Sequence, residues 1–243
     1  MRELSLFVSL LFFCTVAVAD GRPLRFSVSD SSSMPMMKLQ DGKPTDGILY
    51  DLYQRIAEKL GREAELQVIS RTRIQPLLAD DHVDASCYVS PAWLAEDDAS
   101  YLWSVPFMTQ HAVLVARPDA AAVRLAQLKG ERIGTVLGFY YPKANALFKN
   151  GSLIRDDART ESQVLEKLEA GRNRYAISSE TALRWFNRSR PARHHPRIIE
   201  HLVDLPVHCI VRNDSDAPVR EVLDALEQMQ QDGEFEVIQA KYR

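Results

Sequence analysis

The sequence predicts an α/β protein of two lobes, each built on a mixed, mostly parallel sheet. Three observations carry this expectation. Short strand patterns alternate with helical ones, the rhythm of parallel strands covered by helices. That rhythm breaks near residue 107 and resumes near 120, giving two α/β blocks with no low-complexity linker between them. The stretches that join the blocks, around 110–118 and 203–211, read as strands rather than tethers. The chain therefore crosses from one lobe to the other and returns.

Ahead of the fold stand Arg2, an apolar run from Leu4 to Phe13, and Ala17-Val18-Ala19. These are the charged, apolar and small-residue parts of a secretory signal peptide, with cleavage after Ala19 and Asp20 first in the mature chain. The run is too short to span a bilayer. Cys14 does not mark a lipoprotein, because Phe12-Phe13 before it lack the small residue that lipidation requires.

Each element then follows in turn. Leu24, Phe26 and Val28 alternate with polar residues, a half-buried strand. A polar, turn-rich stretch runs from Asp30 to Asp46. Ile48, Leu52, Ile56 and Leu60 fall at helical spacing, and Gly61 stops the helix. Leu66 and Val68 mark a second strand, Ile74, Leu77 and Leu78 a short helix, and Val83, Ala85, Cys87 and Val89 a third strand. In the second block, RLAQL reads as helix, ERIGTV as strand, and GFYYPKANALF as a glycine turn running into a helix. Val164, Leu165 and Leu168 share a helix face over 161–170; RYAISS is a strand and ETALRWF a helix. RIIEHLV and LPVHCIVR are two extended pieces, and two helices close the chain, the first behind an Asp216 cap.

Composition bounds the function. A formal charge of −3 and a pI near 6.1 exclude a nucleic-acid binder, which needs a basic face. No stretch after the leader is apolar enough to insert stably in a membrane, so the expected product is a soluble periplasmic protein. There is no nucleophile elbow, no phosphate loop and no Zn-spaced His/Cys set. The reading therefore names no catalytic residue, metal or cofactor. His194-His195 lie in RPARHHPR without an acidic or cysteine partner at ligand spacing, and read as a basic surface loop.

Several segments together resemble one family. DGKPTDGILYDLYQRIAEKLGREAEL, LLADDHVDASCYVSPAW, YLWSVPFMTQHAVLVAR, LAQLKGERIGTVLG and LEKLEAGRNRYAISSETA occur in that order. The chain is similar over its whole mature length to the bacterial extracellular solute-binding proteins of family 3, the amino-acid-binding-like receptors. The resemblance implies a periplasmic-binding-protein-like fold of the type II, venus-flytrap kind. It places lobe one at 20–115 and 207–243 and lobe two at 116–206. It also implies a monomer that captures a small polar or zwitterionic solute and presents it to an inner-membrane permease of an ABC-type importer. Two other roles remain open on the same fold: a periplasmic dehydratase, and a soluble ligand-sensing accessory of a membrane receptor.

The resemblance directs attention to particular residues. In the family's amino-acid receptors an arginine three residues after the post-strand Ser/Thr grips the ligand carboxylate. Here that Ser is Ser90, and the later position holds Trp93, either an aromatic wall of the cleft or a ring closing the core beside Trp103 or Phe107. Arg73, and more weakly Arg71, stand where the missing clamp can be replaced. Gly138, Phe139 and Tyr140 follow a strand and offer backbone N–H groups to an anion, with at least one ring of Phe139, Tyr140 and Tyr141 packed beneath the helix. Glu180 lies where the family has an acidic residue for the ligand amino group, and equally suits the first turn of its own helix. Asp30, Ser31 and Met34 belong to the loop that lines the cleft. Cys87 and Cys209 alternate with apolar neighbours and point inward; two free thiols are favoured over a disulfide, which stays open.

Overall fold

The computed structural model describes residues 21–74, 82–94, 100–213 and 218–243. The leader with its cleavage site, the helix through Leu77 and Leu78, and the Asp216 cap lie outside the described residues.

The first lobe starts from three parallel strands. β1 (Leu24–Ser29) pairs with β4 (Ala64–Ile69) on one side and β5 (Ala85–Val89) on the other. The second lobe repeats the plan with β8 (Arg132–Val136) between β9 (Ile154–Ala158) and β10 (Tyr175–Ser179). Each parallel triplet carries one antiparallel strand: β11 (Arg197–Arg212) beside β5, and β7 (Met108–Ala116) beside β10. β7 and β11 then pair with each other, from Arg197↔Ala116 to Val207↔Met108. The result is one curled path, β4-β1-β5-β11-β7-β10-β8-β9, with the lobes on either side of the β7–β11 pair.

RIIEHLV and LPVHCIVR, expected as two extended pieces, form a single strand of 16 residues. Two register shifts within its β7 pairing absorb the twist that so long a strand accumulates. β11 thus belongs to both sheets. The expected lobe boundary at 206/207 falls inside it, and Val113, Leu114, Val115 and Ala116 of β7 pack in the second lobe's cores. β6 (Tyr101–Trp103) adds to the far end of β11. β2 (Lys38–Gln40) and β3 (Lys43–Asp46) form a small hairpin inside the stretch that reads as turns.

Helices cover the sheets where the apolar spacing places them. α1 (Ile48–Lys59) buries Leu52, Tyr53 and Ile56 against Phe26 and Val28. Buried Tyr53 donates to the Ser27 carbonyl at 3.0 Å and accepts from the Cys87 N–H at 3.0 Å, tying α1 to two strands. The expected helix at RLAQL is only a 3-10 turn, Leu125–Gln127. In GFYYPKANALF a helix forms only at α2 (Asn145–Lys149), because Pro142 disfavours helical geometry at the residue before it. α3 (Glu161–Glu169) and α4 (Glu180–Asn187) are capped by Thr160 and Ser179, whose hydroxyls accept from Gln163 N–H and Ala182 N–H. α5 (Val219–Gln231) and α6 (Glu234–Ala240) return to the first lobe through Val222, Leu226, Met229 and Phe235.

Two covalent and ionic ties fasten the first lobe to β11. Cys87 and Cys209 face each other across β5 and β11 and form a disulfide, which replaces the expected pair of free thiols. Their side chains do point into the core; what the sequence spacing could not give is the register that sets them opposite. Asp84, 1% exposed, accepts from Arg22 at 2.7 Å and from Arg25 at 3.0 Å, and Arg212 of β11 stands 3.3 Å away. Burial raises the Asp84 carboxyl, but the bonds from Arg22 and Arg25 outweigh it and hold it well below the usual carboxylate range.

Two outcomes follow for stability. Cys87→Ala/Cys209→Ala releases a link across 122 residues, a loss of about 2–5 kcal/mol. Its melting temperature falls by roughly 5–15 °C, read by calorimetry against the oxidised parent. Asp84 is ionised in the fold at pH values where it protonates unfolded, so its stabilisation is complete above its unfolded pKa of about 3.9 and drains away as pH drops below that. Urea unfolding between pH 7 and pH 3 should therefore show an acid limb that Asp84→Asn flattens. The same variant loses about 3 kcal/mol or more at pH 7, because it leaves guanidinium groups facing a neutral amide.

Candidate functional site

All six parallel strands end at the same crevice, which is where ligands bind in such sheets. β4 runs out into Arg71, β1 into Ser29, Ser31 and Ser33, and β5 into Tyr88 and Trp93. From the second lobe, β8 delivers Gly138, Phe139 and Tyr140, β9 leads to Glu161, and β10 presents Ser178 near its end. Together they enclose a cavity of about 230 Å³ with a smaller compartment of about 40 Å³ behind it. Arg71, Tyr88, Trp93, Phe139, Tyr140 and Glu161 line both.

Arg71 is the cation of the site. Its guanidinium lies 4.4 Å from the Phe139 ring centroid and 5.9 Å from that of Trp93. Phe139 belongs to the other lobe, so this cation–π contact spans the cleft. Burial pulls the Arg71 guanidinium below its usual pKa. Among the described residues no carboxylate forms an ion pair with it. A guanidinium stacked by its faces keeps its N–H donors at the edge, free for an anion in the cavity.

Tyr88 owes its position to a bulge. Val89 pairs with His208 and Cys87 with Cys209, which leaves Tyr88 as the extra residue, at φ 70°. A tyrosine in the left-handed region costs of order 1–3 kcal/mol, a strain found at ligand sites. Its ring lies 5.7 Å from that of Trp93. Burial pushes its hydroxyl pKa upward, the nearby Glu161 adds to this, and Arg71 and a hydrogen bond with Ser179 oppose it.

Glu161 is the carboxylate. It opens α3, accepts from the Ser178 hydroxyl at 2.9 Å and also from the Ser179 N–H. Burial raises its pKa; the bonds from Ser179 and Ser178 oppose that shift. Among the described residues no Lys or Arg forms an ion pair with it. The lobes also meet directly where the Ser162 N–H donates to Ser33 Oγ at 3.3 Å, and where Trp185 packs 6.2 Å from Tyr242.

Of the residues expected from sequence, Trp93, Gly138, Phe139 and Tyr140 line the cavity. Trp93 is half-buried and also rests on the first lobe's core, so it serves as wall and as cover at once. Tyr141 is the ring that packs beneath, its hydroxyl accepting the Val136 N–H at 2.8 Å. No helix begins at Gly138, so the positive helix end expected there is missing.

The other candidates stand elsewhere. Arg73 is exposed and Arg71 takes the cleft, because Arg71 stands one residue past the end of β4 and opens a 3-10 turn, while Arg73 lies two residues round that turn. Asp30 is exposed, and its neighbours Ser29 and Ser31 face the cavity. Met34 packs against the first lobe's core. Ser90 is buried at 1% exposure behind the lining. Glu180 pairs with Arg184 one turn along its own helix and does not reach the cavity. His194 is exposed, and the described residues hold no cluster of metal-binding side chains.

Sequence reasoning missed Tyr88 and Glu161. Glu161 follows a Thr cap and looks like an ordinary first-turn acid; only the unread strand β9 would have placed it in the cleft. Tyr88 carries no signal, since nothing local announces a bulge.

Among the described residues no helix is long and apolar enough to cross a membrane. No curated protein matches the chain. Solved structures do, at identities that establish the fold. An ancestral arginine-binding protein bound to arginine is 20% identical, with a TM-score of 0.74, covering 90% of this chain and 97% of its own. An ancestral amino-acid-binding protein, a precursor of cyclohexadienyl dehydratase, is 17% identical with a TM-score of 0.73, covering 90% and 95%. A histidine kinase sensor domain with similarity to periplasmic binding proteins is 19% identical with a TM-score of 0.73, covering 91% and 96%. Residues 25–243 match the sequence pattern of one family throughout. The chain belongs to the bacterial extracellular solute-binding proteins, family 3.

Proposed function

We propose that this protein is exported to the periplasm, where it captures a small amino-acid-like zwitterion as a monomer and presents it to the inner-membrane permease of an ABC-type importer. The observation that carries this reading is Arg71, a half-buried guanidinium facing a cavity with no carboxylate partner among the described residues. A buried charge is ordinarily paired, and the cost of leaving it alone is several kcal/mol. A ligand carboxylate supplies the partner. Glu161 poses the opposite need in the same cavity, and a ligand ammonium meets it. Arg71 thus takes the role of the family's clamp from a different strand end, and Trp93 becomes a ring beside it. Closure follows because a zwitterion touches both lobes and so binds the closed form better than the open one.

A second reading on the same cleft is enzymatic. A carboxyl raised by burial is what a general acid requires, and Glu161 meets that description where Glu180, held by Arg184, does not. Prephenate or arogenate incubated with the purified protein tests it: aromatic product that disappears in Glu161→Gln would favour an enzyme over a receptor.

The receptor reading is tested by thermal shift and calorimetry against free amino acids, polyamines, small peptides and organic acids. A binding amino acid at ~100-fold over its Kd adds about 2.7 kcal/mol, or roughly 5–10 °C. Arg71→Ala should weaken that ligand by ~30-fold or more, and Trp93→Ala should weaken it strongly while shifting the melting temperature of the free protein by less than about 3 °C. Collapse of the free Trp93→Ala protein would instead make that ring a core residue. Failure of every amino acid in the screen would remove the receptor reading for this ligand class.

A further inference from the structure

The charges of the cleft fix the ends of a zwitterion; the rest of the lining constrains its side chain. Six serines face the main cavity, all from the first lobe: Ser27, Ser29, Ser31, Ser32, Ser33 and Ser86. Two of them adjoin across neighbouring strands. Ser27 on β1 and Ser86 on β5 are register partners, and both are only 2% exposed. The Ser27 hydroxyl has no hydrogen-bond partner among the described residues. Its neighbours are better provided for: the Ser29 and Ser31 hydroxyls bond to each other at 2.7 Å, and Ser33 accepts from Ser162. A buried hydroxyl left unbonded by the described residues, on a residue of the cavity wall, marks where a polar ligand group belongs.

We propose that the solute is an α-amino acid whose side chain is uncharged and hydrogen-bonding, a carboxamide or a hydroxyl, reaching towards Ser27 and Ser86. The inference rests on the zwitterion reading above and narrows it. Serine hydroxyls donate or accept, so the pair can meet either arm of a carboxamide. Charged side chains are disfavoured by the inventory of the lining. Among the described residues Glu161 is the only carboxylate and Arg71 the only Lys or Arg in either compartment. The ligand's own ammonium and carboxylate use both, so a guanidinium, a second ammonium or a second carboxylate would find no counter-charge among the described residues of the lining. An aliphatic side chain fits the volume but strands the Ser27 hydroxyl. The cavity, about 230 Å³, sits below the usual range of ligand pockets and admits a single amino acid rather than a peptide.

Titration calorimetry of the mature protein with L-glutamine, L-asparagine, L-serine, L-norleucine, L-arginine and L-glutamate decides the matter. The expected result is that glutamine or asparagine binds ~10-fold or more tightly than norleucine, arginine and glutamate. Ser27→Ala should shrink the advantage over norleucine to a few-fold, and Ser86→Ala provides the same test at the adjoining hydroxyl. The proposal is overturned if arginine, glutamate or norleucine equals or exceeds the amides and serine. It is equally overturned if both alanine variants keep the full preference. If none of these six binds but another amino acid of the wider screen does, this inference falls and the receptor reading stands; if no amino acid of that screen binds, both fall.

Discussion

Strand β11 is the constraint on which the molecule depends. It is hydrogen-bonded to β5 of the first lobe and to β7 beside the second, so neither sheet is complete without it. Because β7 and β11 run antiparallel between two parallel triplets, both triplets present their carboxyl ends to one crevice. Six strand ends then supply a serine wall, an arginine, four aromatic rings and a carboxylate from segments far apart in sequence. The disulfide and the Asp84 cluster reinforce the first lobe's hold on β11.

The energetics of the cleft run against the grain of the rest of the fold. Elsewhere several buried or half-buried charges are paired: Asp84 with arginines, Arg55 with Glu234, Lys167 with Asp156. In the cleft Arg71 rests on aromatic faces and Glu161 on serine donors, and neither has a counter-charge among the described residues. Burial pulls the guanidinium down and pushes the carboxyl up, each towards its neutral form. A ligand carrying both charges reverses both shifts at once. This gives it a differential affinity for the closed form, which is all that a two-state receptor needs. The strain at Tyr88 and the lone Ser27 hydroxyl belong to the same pattern of local cost at a binding site.

Much of the fold was legible because apolar periodicity reports burial directly. β1, α1, β5, β7, β8, α3 and β10 stand where alternation or helical spacing puts them, since each buries one face against a core. What failed depended on distant partners. The continuity of β11 across Leu205 and Pro206, the hairpin at Lys38–Asp46 and the edge strand Ile154–Ala158 are set by pairing, which local composition does not encode. The site divides in the same way. Trp93, Gly138, Phe139 and Tyr140 follow strand ends and could be placed by topology alone. The choice of Arg71 over Arg73 depends on the phase of one turn, and Glu161 lines the cavity while Glu180 pairs with Arg184 outside it. The Cys87–Cys209 bridge required a register that only the folded sheet supplies.

The central claim is that a ligand zwitterion completes the two isolated charges of the cleft. A crystal structure of the protein with its tightest-binding amino acid tests this most directly. The account predicts a ligand carboxylate oxygen at about 2.7–2.9 Å from the Arg71 guanidinium, with the ligand ammonium turned to Glu161. A ligand seated with its carboxylate away from Arg71, the guanidinium still resting on Phe139 and Trp93 without an anion, would contradict it.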